Sequence, residues 1–123
     1  MKAQELRIGN IVSYQNINFV LTDFLSDGYC EIRSDLCETP IFRVHIESLM
    51  PCEISIGSLF GYGFKLDNDG IWCKNKCLFW IGGDTLQIAL NYAPLFNCPC
   101  KYVHQLQNII YCLTGEELCL NRG

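Results

Sequence analysis

Donor atoms that could do chemistry cluster near the end of the chain. Cys73 and Cys77 form a C-x3-C pair, Cys98 and Cys100 form C-x-C, and His104 stands four residues after Cys100. Thiolates and imidazole are the ligands a tetrahedral zinc ion takes, but structural sites favour C-x2-C or C-x4-C knuckles. Cys73 and Cys77 instead flank a tight turn at Asn75-Lys76. A two-residue turn pairs Lys74 with Cys77 and Cys73 with Leu78, which sends the two thiols to opposite faces of the sheet. No metal is expected. Cys100 and His104 are one helical turn apart, as a nucleophile and base could be. Neither an orienting third group nor an oxyanion hole can be named beside them, so no catalytic residue is assigned and a non-enzyme is expected.

Cofactor signatures fail in the same way. Gly61-Tyr62-Gly63 opens like a dinucleotide fingerprint, but Leu66 takes the third glycine position. There is no Gly-Lys-Ser/Thr run, and the Asp67-Asn68-Asp69-Gly70 turn lacks the closing glutamate of a calcium loop. No cofactor is expected.

Two sets of polar and aromatic residues remain as candidate ligand-binding positions. His104, Gln107, Asn108 and Tyr111 fall at i, i+3, i+4 and i+7 on one side of the last helix. A solvated helix face is usually rich in Lys and Glu, whereas amides, an imidazole and a phenol are directional hydrogen-bonding groups. Such a face is either a buried polar network or a binding surface. Trp72 and Phe79 should be cross-strand neighbours with Lys74 beside them, which suits either sheet packing or a stacked ring.

The elements that must position these residues form two halves. Residues 1–51 read as short strands at Ile11–Tyr14, Phe19–Phe24, Tyr29–Arg33 and Ile41–Val44, split by turns and a polar loop from Ser34 to Thr39. This predicts a small SH3-like β-barrel or strongly bent sheet. Residues 52–123 read as a weak helix over Ser55–Tyr62 and a short strand at Phe64–Leu66. An antiparallel β-meander follows over Ile71–Lys74, Cys77–Ile81 and Thr85–Leu90, then a C-terminal helix entered at Pro99 and closed at Gly115. With a three-residue loop at Gly82-Gly83-Asp84, Ile71, Cys73, Leu78, Trp80, Leu86, Ile88 and Leu90 share an apolar face. The helix, with a stripe of about 120° from Tyr102 to Leu113, is laid across it. Glu116–Leu120 could add a tail strand. The fold class is α+β, with the two halves expected to form one compact unit.

Composition supports a folded chain of one domain's size. Half of the 123 residues are hydrophobic and 18% are charged, which argues against disorder. A net charge of −4 with nine basic residues makes a nucleic-acid partner the least favoured. No apolar run approaches the roughly 20 residues a membrane helix needs. Without a signal-like start, the nine cysteines read as reduced, mostly structural thiols and the location as the cytoplasm of a bacterial host cell.

Two strings carry a family resemblance. The opening Glu5-Leu6-Arg7-Ile8-Gly9-Asn10 and the closing Lys101-Tyr102-Val103-His104-Gln105-Leu106-Gln107-Asn108, with Leu113-Thr114-Gly115-Glu116-Glu117-Leu118, resemble a group of small uncharacterised proteins from Bacteroidetes, their phages and mobile elements. The resemblance covers some thirty residues at the two ends. It implies a phage or mobile-element context and brings no activity or catalytic residue.

Three functions are carried forward. The first is a non-enzymatic binding protein that sequesters a small, nucleotide-like host defence-signalling molecule, an anti-defence role. The second is a protein–protein adaptor or virion accessory protein working through the mixed meander face. The third is a nucleic-acid-binding small barrel. A small molecule or a host or phage protein is thus the expected partner, with a homo-oligomer left open.

Overall fold

Tyr14 and Ile17 pair across a hairpin whose two loop residues, Gln15 and Asn16, both take positive φ, 52° and 65°. That is the backbone a tight two-residue hairpin requires. From this hairpin the first sheet grows. In the computed structural model, which describes residues 1–34, 41–74, 77–82, 85–90 and 93–118, the chain is α+β with two antiparallel five-stranded sheets and one main C-terminal helix. The turn at Asn75-Lys76, loop residues 35–39, Gly83-Asp84 and positions 119–120 of the expected tail strand lie outside the described residues.

The chain divides into two units. The first joins Met1–Glu53 to Tyr102–Cys119, and the second contains Ile54–Lys101. In the first, β1 (Ile11–Tyr14), β2 (Ile17–Phe24), β3 (Tyr29–Ser34) and β4 (Ile41–His45) run as a meander. β5 (Met50–Pro51) follows a 3-10 turn over Ile46–Ser48 and returns to β1, giving the order β4-β3-β2-β1-β5. The edges β4 and β5 do not pair, so the described sheet is open and fits the bent-sheet form of the expectation. Period-2 alternation places Val12, Phe19, Leu21, Cys30, Ile32 and Val44 in one core, joined by Leu6, Ile46 and Leu49. Burying each large aliphatic residue there contributes about 1.5–3 kcal/mol.

The C-terminal helix α2 (Val103–Thr114) belongs to this first unit. The sequence reading laid it on the meander and began it at Pro99. Instead Pro99 ends a strand, and the helix starts four residues later, where Val103 N donates to Cys52 O at 2.8 Å. It ends at Gly115, whose φ of 74° is the left-handed cap that glycine adopts without strain. The buried residues are Val103, His104, Leu106, Gln107 and Ile110, so the buried face is turned toward His104 and Gln107. Apolar periodicity alone misjudges this rotation because two polar side chains are buried with the stripe.

The second unit opens with α1 (Ile56–Gly61), where Ser55 and Ser58 cap each other reciprocally. This offsets the low propensity of its glycines. Its sheet has the order β10-β9-β8-β7-β6, from β6 (Lys65–Leu66), β7 (Trp72–Lys74), β8 (Cys77–Gly82), β9 (Thr85–Leu90) and β10 (Ala93–Pro99). Lys74 pairs with Cys77 as expected, but Gly82 pairs with Thr85, leaving two residues between those strands rather than three. One residue of register exchanges the faces of a strand. Trp72, Phe79, Leu86 and Ile88 therefore share the buried face, while Leu78 is half-buried and Trp80 is exposed. β10 was not read as a strand because Pro94 and Pro99 punctuate it; it is an edge strand, where proline is tolerated. The described part of the expected tail strand, 116–118, is not a strand.

Candidate functional site

The seven candidate residues separate between the two units. Trp72, Lys74 and Phe79 lie in the second and act in packing. Trp72 meets Phe60 edge-on at 5.1 Å, and Phe79 meets Phe64 edge-on at 4.9 Å. Lys74 Nζ donates to the Tyr62 carbonyl at 2.6 Å. Both rings are at most 5% exposed, so neither presents a free stacking face.

His104, Gln107, Asn108 and Tyr111 lie on α2 in the first unit, and they do different things. Gln107 is fully buried: Oε1 accepts from Ile11 N at 2.8 Å and Asn10 Nδ2 at 3.3 Å, and Nε2 donates to the carbonyls of Gly9 and Leu118. Asn108 Oδ1 accepts from Asn10 Nδ2 and Arg7 Nε at 2.8 and 3.0 Å, while its Nδ2 donates to Glu5 O. Arg7 stacks over the Tyr111 ring at 4.1 Å and forms an ion pair with Glu117. The helix face is thus largely a clasp that joins the opening and closing strings of the sequence to each other. Arg7, Asn10 and Glu117 were missed as its members. Their presence in those two strings was the only available signal, and nothing local shows that they meet.

His104 stands apart from the clasp. It is 3% exposed, its ring stacks on Tyr102 with centroids 6.0 Å apart, and its Nδ1 has no hydrogen-bond partner. Leaving a buried polar atom unpaired costs about 1–3 kcal/mol. Burial pushes the imidazole below its ordinary value, with the Glu5 carboxylate opposing.

His104 is also in the wall of a cavity of about 270 Å³. Glu5 and Glu47 supply its carboxylates, Met1, Leu49, Met50 and Pro51 its apolar surface, and Tyr102 and Gln105 the remaining wall. The α2 start that brings in Tyr102, His104 and Gln105 is held by Glu53 bridging to Tyr102 and by Tyr102 N donating to Gln105 Oε1 at 3.1 Å. The described lining contains no serine, threonine or cysteine, so it offers hydrogen bonding and charge rather than a nucleophile. Among the described residues no group of three or more His, Cys, Asp or Glu side chains could hold a metal ion. No helix in the described residues is long and apolar enough to cross a membrane.

Comparison with protein-family models, with curated proteins and with solved structures finds no match.

Proposed function

We propose that the chain is a non-enzymatic binding protein that takes a small polar ligand into the cavity of its first unit. The observation that carries this reading is the cavity of about 270 Å³ with His104, Tyr102, Gln105, Glu5 and Glu47 in its wall. The return of β5 to β1 after a 3-10 turn supports an SH3-like description of the first sheet. The narrower form, sequestration of a nucleotide-like host molecule in a phage setting, draws support only from the stacked Tyr102–His104 pair. A phosphate would meet two carboxylates, so recognition there rests on the base.

Denaturing mass spectrometry of the purified chain for a co-purifying small molecule, paired with a thermal-shift panel of nucleotides, amines and acids, tests the reading. A compound should raise the melting temperature of the parent protein and lose its effect in Met50→Trp, which narrows the cavity. No co-purifying molecule and no stabilising compound would overturn it.

A second reading, the adaptor or virion accessory protein, is favoured by Ile41 and Phe42 on edge strand β4, which are 47% and 41% exposed. Ile41→Lys with Phe42→Ser should then abolish recovery of a partner cross-linked to the parent protein.

A further inference from the structure

We propose that the exposed face of the second unit's sheet binds a neutral polysaccharide chain, with the Trp80 indole as the platform for a sugar ring and the Gln87 and Asn97 amides meeting its hydroxyls. This goes beyond the cavity reading and does not depend on it.

The register builds the site. Trp80 on β8 is directly opposite Gln87 on β9, which is directly opposite Asn97 on β10. Directly paired residues share one face of a sheet, so the three side chains stand in a row across three strands, about 10 Å from end to end at the usual strand spacing. All three are exposed, whereas Phe79, Leu86 and Ile88, which alternate with them along β8 and β9, are buried. Trp80 keeps 44% of its surface open in a sheet whose other tryptophan, Trp72, is 5% exposed. Among the described residues no side-chain hydrogen bond engages Trp80, Gln87 or Asn97.

The chemistry of the row selects the ligand. An indole presents a flat apolar ring with an electron-rich face, which suits the C–H face of a pyranose. Each amide both donates and accepts, as each sugar hydroxyl does. Thr85, exposed on the same face two residues before Gln87, adds a hydroxyl. Charge selects a neutral partner: among the described residues of this face Lys65 is the one charged side chain, and it stands in the row of Cys73 and Leu78, two strands away from β8. A nucleic-acid strand would bring phosphates to a ring with no cation beside it, where single-strand sites pair aromatics with a positive groove. A proline-rich peptide docks in an aromatic-lined groove, whereas Trp80 is the one aromatic ring among the described residues of this face. A flat row longer than one ring favours a chain of sugars over a single one.

The full chain should be run in native affinity gels containing dextran, mannan, soluble starch or hydroxyethyl cellulose, with polyuridylic acid and polyproline as the competing classes. At least one neutral polysaccharide should retard the parent protein. Trp80→Ala should abolish that retardation, Trp80→Phe should keep part of it, and Gln87→Ala and Asn97→Ala should each weaken it about two- to tenfold, the scale of one neutral hydrogen bond. The three positions are exposed, so every variant should keep the parent's far-ultraviolet spectrum. Retardation that survives Trp80→Ala in a folded variant would overturn the site. Stronger retardation by polyuridylic acid or polyproline, lost in Trp80→Ala, would overturn the ligand class. Retardation by none of the four polysaccharides would overturn both.

Discussion

Gln107 Oε1 accepts the Ile11 N–H at 2.8 Å, so a side chain of α2 completes the backbone hydrogen bonding at the first residue of β1. The same amide donates to the Gly9 carbonyl at 3.0 Å, and Asn10 between them bonds Gln107 and Asn108. A helix near one end of the sequence is thereby registered on a strand near the other.

Removing that amide leaves buried backbone groups unpaired. Gln107→Ala is expected to lower stability by about 1–3 kcal/mol in urea denaturation. Asn10→Ala should fall in the same range, and the double variant should lose less than the sum, because the two side chains share a hydrogen bond. Glu117→Ala should cost at most about 1 kcal/mol, since its ion pair with Arg7 is partly exposed.

Much of the first sheet was legible because alternation and turn residues agree over Ile11–Val44. The clasp was not: His104, Gln107, Asn108 and Tyr111 stood out as a group, but Arg7 and Asn10 lie almost a hundred residues away. Their pairing is a tertiary fact, and it divides the group into a structural amide pair and a histidine at a cavity. In the second sheet the residue types were sufficient to find four strands, β6 to β9. The faces depended on a loop shorter by one residue, which hydrophobic pattern left ambiguous because Leu78 and Trp80 are as apolar as Phe79 and Ile81.

That register makes Trp80 44% exposed and Trp72 only 5%. Acrylamide should quench the fluorescence of Trp72→Phe, which retains Trp80, several-fold more strongly than that of Trp80→Phe. Equal quenching would contradict the pairing of Phe79 with Ile88.

His104 makes stability depend on pH with a definite sign. Burial holds its value below the ordinary 6.5, so as pH falls the unfolded chain takes up the proton first. The contribution is complete above about pH 6.5 and is lost as pH falls through the lowered value. Urea midpoints measured from about pH 7.5 down to about pH 5 should decline, and His104→Gln should flatten part of that slope.

The described thiols should react in order of exposure. Cys112 is exposed, whereas Cys100 is buried and its thiol is pushed up to about 12, by burial first and then by Cys98. Iodoacetamide on native protein, read by peptide mass spectrometry, should modify Cys112 early and the buried Cys30 and Cys100 last, because the thiolate is the reacting form and burial raises both thiols.

The central claim is that His104, rather than the amide pair beside it, is where this protein meets its small polar ligand. The most direct measurement records the histidine ring nitrogens of the ¹⁵N-labelled chain with each nucleotide, amine or acid that raises its melting temperature. The account predicts that every such compound shifts the His104 signals while Gln107→Ala, though less stable, retains the same shift. One such compound that leaves His104 unmoved would contradict it.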